Sequence, residues 1–376
     1  MNVENIRLIN FRNYENISLE FNKDINIFIG KNGEGKTNLM EAIYMCAMGR
    51  SFRTNRDRES INFNKNEAYI GANVNLGNYK RFVEVKLSRS QPKRIRVNKT
   101  ELDSFKDLFS GLNVVYFTPD DLRIVKDGPR ERRNLIDSGV YQLKPLYNYN
   151  LNKYGKILYQ RNNLLKSSRF KSNIDKLLDI FDVQIAEIGT KLVLERYEYI
   201  SKLNKIAKRI HREVSDGEDL NLKYVSNIPI LNNREKMEKE YLRLLKTNLK
   251  KDLENGVTEF GPHRDDILMS INNFDARIYG SQGQQRTIVL SIILSEVQLI
   301  RNVKGIYPIL LLDDVFSELD RDRRKYLSGF LKEIQTFVTA TNSEDLRQLK
   351  EFNKDVFFIE NGNFRMREGH DDLYRQ

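Results

Sequence analysis

The segment that most constrains this chain is residues 25–38, INIFIGKNGEGKTN. Isoleucines alternate there with Asn26 and Phe28, which predicts a short buried strand. The strand is followed by a glycine-rich loop from Gly30 to Gly35, and the apolar spacing from Thr37 to Met48 predicts a helix. Strand, loop and helix in this order are the context that a phosphate-binding loop requires. The pattern therefore favours a nucleotide site over a glycine-rich turn without a ligand.

The residue types of this loop fit a bound triphosphate. Its glycines allow consecutive backbone amides to turn inward around an anion, and the following helix adds the positive end of its dipole. We expect Lys36 to reach the β and γ phosphates of ATP, and the Thr37 hydroxyl to complete the ligand shell of a Mg²⁺ ion. The loop residues expected to bind the nucleotide are Gly30, Lys31, Asn32, Gly33, Glu34, Gly35, Lys36, Thr37 and Asn38.

A second acidic motif lies near the C-terminus. The apolar run from Ile309 to Leu312 predicts a buried strand, and it ends in Asp313 and Asp314. Ligands of open α/β sheets bind at the carboxyl ends of the strands, so we expect Asp313 to hold Mg²⁺ through water and Asp314 to orient or deprotonate the attacking water. An acidic turn without function is the alternative, and the phosphate loop in the same chain argues against it.

The composition of the chain bears on its partners. Its formal net charge is +11, 31% of the 376 residues are charged and 40% are hydrophobic. Such a field favours nucleic acid as a partner, although a basic protein of no such function has the same composition. The lone Cys46 excludes a disulfide within the chain. No apolar run is long enough to cross a membrane and the start lacks a signal-peptide pattern, so we expect a cytoplasmic protein without a membrane partner.

The middle of the chain has a different pattern. From Ile174 to Ile210 the apolar residues recur at steps of three and four, which predicts a long helix over 174–213 that Gly189 interrupts or leaves intact. Between Arg123 and Lys171 there are twelve Lys or Arg and three Asp or Glu. This stretch predicts nucleic-acid contact, unless its tyrosines belong to a core and its charges to a solvated rim. The tyrosines concerned are Tyr141, Tyr147, Tyr149, Tyr154 and Tyr159.

Two further segments have nucleotide-binding character. Ser281-Gln282-Gly283-Gln284-Gln285 precedes an apolar helix from Ile288 to Ile300, and its hydroxyl, glycine amide and helix dipole suit an anion. Near the start of the chain, Arg12, Asn13 and Tyr14 either flank a nucleotide or form an ordinary exposed turn.

The order of these motifs resembles the ATP-binding-cassette ATPases, and within their chromosome-maintenance and DNA-repair branch it resembles the RecF family. The segments that carry the resemblance are FRNY from Phe11, GKNGEGKTNLMEAIY from Gly30, GRSFR from Gly49, GPHRDD from Gly261, YGSQGQQRT from Tyr279 and LLLDDVFSELD from Leu310.

The resemblance implies an α/β fold: an ABC-type ATPase head with a mixed sheet around a P-loop, an antiparallel β subdomain and an inserted helical lobe. The expected divisions are residues 1–122 for the first part of the head, 123–254 for the basic helical lobe and 255–376 for the second part of the head.

The resemblance also implies a mechanism. ATP would lie between the phosphate loop of one copy and Ser281, Gly283 and Gln284 of a second copy, with Arg12 among the nucleotide-binding residues. The homodimer would hold double-stranded DNA next to single-stranded gaps and, with RecO and RecR, help place RecA on DNA. A weak, DNA-stimulated hydrolysis of ATP to ADP and phosphate would release it.

Three departures from the wider cassette pattern predict slow turnover. Asp314 stands where a glutamate is usual, no glutamine follows the strand predicted at 112–117, and Thr341-Asn342 replaces a histidine. Other interpretations are a transporter's nucleotide-binding subunit, a clamp that binds nucleotide without hydrolysis and, least favoured, a small-molecule P-loop kinase.

Overall fold

The computed structural model describes residues 1–102, 111–167, 174–360 and 363–367. Its chain divides into two compact units. Unit 1 comprises residues 1–122 and 289–376, and unit 2 comprises residues 123–288. The chain passes from unit 1 to unit 2 after residue 122, which coincides with the expected boundary there. It returns to unit 1 after residue 288, which is 34 residues beyond the expected boundary after residue 254. Arg169, Lys171 and residues 368–376, which the sequence interpretation included, lie outside the described residues.

The first segment of unit 1 is mainly β-structure. Its elements are β1 (Asn2–Phe11), β2 (Tyr14–Glu20), β3 (Ile25–Ile29), α1 (Lys36–Met48), β4 (Glu67–Asn75), β5 (Lys80–Ser88), β6 (Arg94–Val97), β7 (Thr100–Glu101) and β8 (Val114–Phe117).

Unit 2 is mainly helical, and one long helix leads out of it. Its elements are α2 (Arg123–Lys126), α3 (Pro129–Leu143), α4 (Leu146–Lys166), α5 (Ile174–Val214), β9 (Leu220–Val225), α6 (Arg234–Thr247), α7 (Leu249–Asn255), β10 (Asp266–Ile271), β11 (Phe274–Asp275) and α8 (Ala276–Tyr279). Helix α9 (Gln282–Lys304) begins in unit 2 and ends in unit 1.

The second segment of unit 1 completes its sheet. Its elements are β12 (Ile309–Asp313), α10 (Val315–Glu318), α11 (Arg321–Phe330), β13 (Thr336–Ala340), β14 (Lys354–Glu360) and β15 (Asn363–Arg367). Strands β14, β3, β13, β12 and β8 run parallel in that order, and β15 is antiparallel at the edge. A second sheet, β2-β1-β4-β5-β6-β7, is antiparallel throughout. The predicted mixed sheet and antiparallel subdomain are both present.

Helix α1 lies between the two sheets of unit 1. It packs against β4 and β5 on one side and against β8, β12 and β13 on the other. Because both sides are covered, eleven of its thirteen residues are buried, and two of those, Lys36 and Glu41, are charged. The helix ends at Gly49, whose left-handed backbone (φ 64°) lets its N–H bond the Met45 carbonyl. The core of unit 1 is therefore built around the helix that follows the phosphate loop.

Helix α5 is continuous through Gly189, so that glycine does not interrupt it. A Cβ at Gly189 would lie 2.6 Å from Cε1 of Tyr241 and 3.3 Å from Cε2 of Tyr154. The glycine is thus a point of close side-chain approach within unit 2. The conformational freedom of glycine is not required at this position, because the helix is continuous.

The strand β9 explains why unit 2 extends to residue 288. This strand lies within the segment predicted to be helical, and its partner β10 lies beyond residue 254, with Ile267 opposite Tyr224. The antiparallel pairing holds the chain from Asp266 onward in the helical unit. The sequence interpretation missed β9 because six residues in a helical context give little periodic signal.

The five tyrosines of the basic stretch separate into two groups. Tyr141, Tyr147 and Tyr154 are buried in unit 2, whereas Tyr149 and Tyr159 are 52% and 68% exposed. The alternative that these tyrosines belong to a core is therefore correct for the first three, which are not available to stack on bases.

Candidate functional site

The glycine-rich loop joins the carboxyl end of β3 to the first residue of α1. Gly33 (φ 90°) and Gly35 (φ 114°) have left-handed backbones, which turn successive amides inward. Lys36 is buried, and its Nζ donates hydrogen bonds to the Gly30 carbonyl at 2.6 Å and to the Lys31 carbonyl at 3.2 Å. An ammonium group thus lies among the loop carbonyls beneath inward-turned amides. This arrangement suits a polyphosphate.

Residues at the turn from β1 into β2 form hydrogen bonds to the backbone of this loop. Asn13 Nδ2 donates to the Glu34 carbonyl at 2.9 Å, and the Tyr14 hydroxyl donates to the Gly35 carbonyl at 2.8 Å. A Cβ at Gly35 would lie 2.6 Å from Asn13 Nδ2, so both the backbone angle and the space demand glycine. Asn38, on the first turn of α1, donates to Asn13 Oδ1 at 2.7 Å. The turn is therefore part of the scaffold of the loop.

Arg12 is held by a buried carboxylate. Its Nε and Nη2 donate to the two oxygens of Glu41 at 2.9 and 2.6 Å, and its Nη1 donates to the Glu59 carbonyl at 2.7 Å. Glu41 also accepts hydrogen bonds from the Ser51 hydroxyl at 2.5 Å and the Ser60 hydroxyl at 3.3 Å. These bonds give Arg12 a structural role. Its expected contact with nucleotide stays a prediction.

Asp313 is the last residue of β12 and lies at the same sheet edge as the loop. It is opposite Thr339 of β13, and Thr339 is opposite Phe28 of β3. The Thr339 hydroxyl donates to Asp313 Oδ1 at 2.6 Å, and the Tyr116 hydroxyl donates to Oδ2 at 3.1 Å. The carboxylate is only 5% exposed. Strand register therefore fixes one of the two predicted acids.

Asp314 adopts a left-handed backbone (φ 53°), and its N–H donates to the Thr339 hydroxyl at 2.9 Å. Its Oδ1 is buried without a hydrogen-bond partner among the described residues. Burial raises the pKa of Asp314 above its ordinary value, the nearby Lys36 opposes this shift, and Asp313 adds to it. A buried, unpartnered carboxylate oxygen beside a lysine is suited to accept a proton or to hold a water.

The predicted metal ligands fit Mg²⁺ chemically. Thr37 is half-buried on the first turn of α1, and Asp313 keeps lone pairs beyond the two bonds it accepts. A hydroxyl and a carboxylate are the hard oxygen ligands that Mg²⁺ prefers, and the orphaned oxygen of Asp314 offers an acceptor for a metal-bound water. The residues present therefore fit the cation that the sequence analysis expected.

The Ser281 segment forms a capping box at the start of α9. Gln284 N donates to Ser281 Oγ at 3.2 Å, and Ser281 N donates to Gln284 Oε1 at 2.8 Å. Gln284 Nε2 also donates to Glu218 Oε1 at 2.6 Å. Ser281 is exposed and Gly283 is half-buried. These residues belong to unit 2, whereas the phosphate loop and both aspartates belong to unit 1.

Three contributors to the site were missed from the sequence: Tyr116, Thr339 and Glu41. Tyr116 lies in the strand predicted at 112–117, where an apolar run gives no sign of a polar role for its hydroxyl. Its ring stacks on Phe52 with centroids 4.0 Å apart, which places the hydroxyl at Asp313. Thr339 lies in an apolar strand and Glu41 in an apolar helix. The spacing of the apolar residues around them does not indicate a polar partner. Their roles become visible only when strands and helices are assembled.

Comparisons with known proteins agree with this architecture. The model of the family described as "RecF/RecN/SMC N terminal domain" matches residues 2–364. A protein of Clostridium perfringens named DNA replication and repair protein RecF is 42% identical over 363 residues, which are 96% of this chain and 99% of the relative. The protein of the same name from Alkaliphilus oremlandii is 44% identical over 365 residues, again 96% and 99% of the two chains.

Solved structures give the same result. The structure of the recombination mediator protein RecF with ATPrS, described as part of the RecFOR pathway, superposes with a TM-score of 0.91 at 34% identity and covers 97% of this chain and 98% of that one. An Smc head bound to the C-winged helix domain of ScpA superposes with a TM-score of 0.57 at 15% identity, over 98% and 97% of the chains, and shares the fold. The fold and the resemblance expected from the sequence are thereby confirmed, and the chain belongs to the RecF family of the RecF/RecN/SMC N-terminal domain proteins.

Proposed function

We propose that this chain binds ATP and hydrolyses it slowly as a switch in DNA repair. The observation that carries the proposal is the common sheet edge where Lys36 lies within the glycine loop and Asp313 and Asp314 follow β12. Relatives named DNA replication and repair protein RecF, and a RecF structure described with ATP, support it.

Each residue has a defined task in this proposal. The loop amides and Lys36 hold the β and γ phosphates, and Asp314 orients the attacking water and accepts its proton. Thr37 and, through water, Asp313 would hold Mg²⁺, which would supply positive charge beside the phosphates. The Tyr116 and Thr339 hydroxyls orient Asp313. Since Asp314 is shorter than glutamate, the water is held less closely and turnover is slow.

ATP is proposed to join two copies of the chain. Ser281, Gly283 and Gln284 of one copy would meet the γ phosphate held by the loop of the other, in a two-fold symmetric contact. The capping box supports this role, because it fixes the start of α9 while Ser281 stays exposed. The positive end of the helix dipole then favours an anion at this point.

The proposed partner of the dimer is double-stranded DNA beside single-stranded gaps, where RecO and RecR act with it to place RecA. The net charge of +11 supports a polyanionic partner. A RecF structure described as part of the RecFOR pathway supports the two protein partners. No helix among the described residues is long and apolar enough to span a membrane.

The decisive experiment is light scattering of the full chain with ATP and Mg²⁺, with and without duplex DNA. The mass is expected to double from 44.3 kDa with ATP and to stay single with ADP. Lys36→Ala, which removes the ammonium group from the phosphates, should stay single and bind no ATP. A chain that remains single when saturated with ATP would overturn the dimer, and unchanged nucleotide affinity of Lys36→Ala would overturn the loop assignment.

An ATPase assay separates the switch from a clamp that does not hydrolyse ATP. The switch predicts a slow Mg²⁺-dependent rate that rises with duplex DNA. The clamp predicts no rate at any protein concentration.

A further inference from the structure

Helix α4 is free of negative charge. From residue 138 to residue 174 the chain has no Asp or Glu, a run of 37 residues in a chain with 52 acidic residues among 376. Helix α4, from Leu146 to Lys166, occupies the middle of this run. Without carboxylates, its lysines lack the intrahelical ion pairs that usually neutralise an exposed helix. Any neutralising charge must come from another element or from a partner.

One side of α4 faces the core and the other faces solvent. The core side carries Tyr147, Tyr154, Ile157, Arg161, Leu164 and Leu165. The exposed side, which we name the α4 outer face, follows steps of three and four residues. It consists of Tyr149, Asn152, Lys153, Lys156, Tyr159, Gln160, Asn163 and Lys166. Every side chain of this face has an N–H or O–H donor and none is acidic, whereas the exposed Leu146, three residues before Tyr149, adds an apolar side chain at the start of the helix.

Four of the ten described basic side chains from Arg123 to Lys166 are held by carboxylates. Arg132 bonds Asp266 at 2.6 Å, and the fully buried Arg161 bonds Asp182 at 2.6 Å and Asp252 at 2.7 Å. The four in ion pairs are Arg123, Arg132, Lys144 and Arg161. Those with neither an ion pair nor a hydrogen bond, among the described residues, are Lys126, Arg130, Lys153, Lys156 and Lys166. Three of these five lie on the α4 outer face.

Two carboxylates of α5, which packs on α4, are paired with side chains outside the face. Glu187 has its pKa lowered first by its own partner Lys191, at 2.8 Å, and only weakly by Lys153. Asp179 is paired with Lys246 at 3.2 Å. The lysines of the α4 outer face therefore form no ion pair with either of these carboxylates.

We propose that the α4 outer face binds the phosphate backbone of duplex DNA. This inference rests on the proposed function, because it assigns that DNA to one surface of unit 2. The three lysines neutralise phosphates, and the tyrosine, asparagine and glutamine side chains donate hydrogen bonds to phosphate oxygens. No base edge is read, so binding on this face is independent of sequence.

The shape of the face favours a duplex. From Tyr149 to Lys166 the row is about 26 Å long, which corresponds to roughly eight base pairs of phosphates. Its three lysines favour a polyanion over a protein partner, because lysine is depleted in protein–protein interfaces.

The test compares two variants with the same loss of charge. K153A/K156A/K166A removes the lysines of the α4 outer face. K236A/K239A/K250A removes three exposed lysines of α6 and α7 in the same unit, none of them in an ion pair among the described residues. Binding of fluorescein-labelled duplex is measured by anisotropy with ATP and Mg²⁺ across a series of salt concentrations. Both variants are expected to bind fluorescent ATP as the unmodified chain does.

The α4 variant is expected to bind duplex roughly 100-fold more weakly at ~0.15 M salt. Its slope of log K against log salt should shrink by about 0.9 for each lysine that no longer neutralises a phosphate. The control variant should keep the slope of the unmodified chain. Equal losses of affinity in both variants, or a loss for single-stranded DNA alone, would overturn the assignment to this face. If the unmodified chain does not bind duplex with ATP, the proposed function itself fails.

Discussion

Asp313 and Asp314 are neighbours in sequence with different surroundings. Asp313 accepts hydrogen bonds from Tyr116 and Thr339, whereas Asp314 keeps a buried oxygen without a partner among the described residues. These surroundings suit the roles that we propose, a cation ligand for the first and a proton acceptor for the second. This division of roles depends on side chains from β8 and β13.

The pKa of Asp314, raised by burial, gives a pH-dependent prediction. A carboxyl whose folded-state pKa is raised stabilises the fold below its unfolded pKa, and this contribution is lost as pH rises through the folded-state pKa. Asp314→Asn should therefore melt at a higher temperature than the unmodified chain at pH 7.5, with a difference that shrinks toward pH 4. Turnover should fall by roughly 100-fold or more.

Scanning fluorimetry across pH and an ATPase assay measure the two effects of Asp314→Asn. Glu15→Gln, which removes an exposed carboxylate of unit 1, is the matched control and should show no such trend. Equal melting temperatures at pH 7.5 would refute the buried charge, and unmodified turnover would place the base elsewhere.

Tyr116 is predicted to position Asp313. Burial, together with the neighbouring Asp313, raises the pKa of Tyr116, so its hydroxyl remains a donor. Tyr116→Phe keeps the ring on Phe52 and removes the hydrogen bond, which should raise the Mg²⁺ concentration for half-maximal ATPase by roughly tenfold. Tyr44→Phe, whose hydroxyl interacts with Arg50, should leave that concentration unchanged. An identical Mg²⁺ dependence in all three chains would show that Tyr116 is only structural.

At the level of elements, unit 2 depends on helices that approach closely. Gly189 of α5 lies where Tyr154 of α4 and Tyr241 of α6 meet it. The hydroxyls of these two tyrosines lie 3.3 Å apart, and the Tyr154 hydroxyl lies 2.7 Å from His263 Nδ1, within hydrogen-bond distance. Burial lowers the pKa of His263 to about 4, so this ring stays neutral at physiological pH. The GPHRDD segment is in this way tied to three helices.

Gly189→Ala should destabilise the chain although alanine is the better helix former. Its Cβ would lie 2.6 Å from Tyr241, and such overpacking typically costs about 1–3 kcal/mol, more than the roughly 1 kcal/mol gained in helix propensity. Gly155→Ala is the control, because a Cβ there meets nothing within 4 Å. We expect it to stabilise α4 by roughly 0.5–1 kcal/mol in urea unfolding. Equal effects of the two changes would contradict the packing argument.

At the scale of the whole molecule, the two segments proposed to bind nucleotide belong to different units. The phosphate loop and the aspartates lie in unit 1, and Ser281 lies in unit 2 at the start of α9. This division suits a protein in which the second half of the site comes from another copy, as we propose.

Ser281→Arg is predicted to leave ATP binding intact and to prevent the ATP-dependent dimer, because a long cation replaces the exposed hydroxyl. Ser281→Asn is the matched control, since asparagine also caps a helix start and adds no charge. Light scattering with ATP and Mg²⁺ should show single chains for the first variant and dimers for the second. A normal dimer of Ser281→Arg would exclude this contact.

Local patterns were predictable because their causes are local. The phosphate loop, the carboxylate strand and the long helix each follow from residue types at fixed spacing, and the helix predicted over 174–213 is observed over Ile174–Val214. The loop helix differs from its predicted range by one residue. Strand β9 and the extension of unit 2 to residue 288 were not predictable, because pairing between β9 and β10 joins residues that are distant in sequence.

By itself, the sequence determined the fold class and the family, and it predicted the roles of the glycine-rich loop and of the acidic pair. Only the tertiary structure decided which charged side chains are buried or paired and which are exposed. It buried Arg161 with two aspartates, held Arg12 on Glu41, placed three tyrosines in a core and left the lysines of α4 exposed. The physical reason is that charge and aromatic character belong to a residue, whereas burial and pairing belong to the neighbours that folding brings to it.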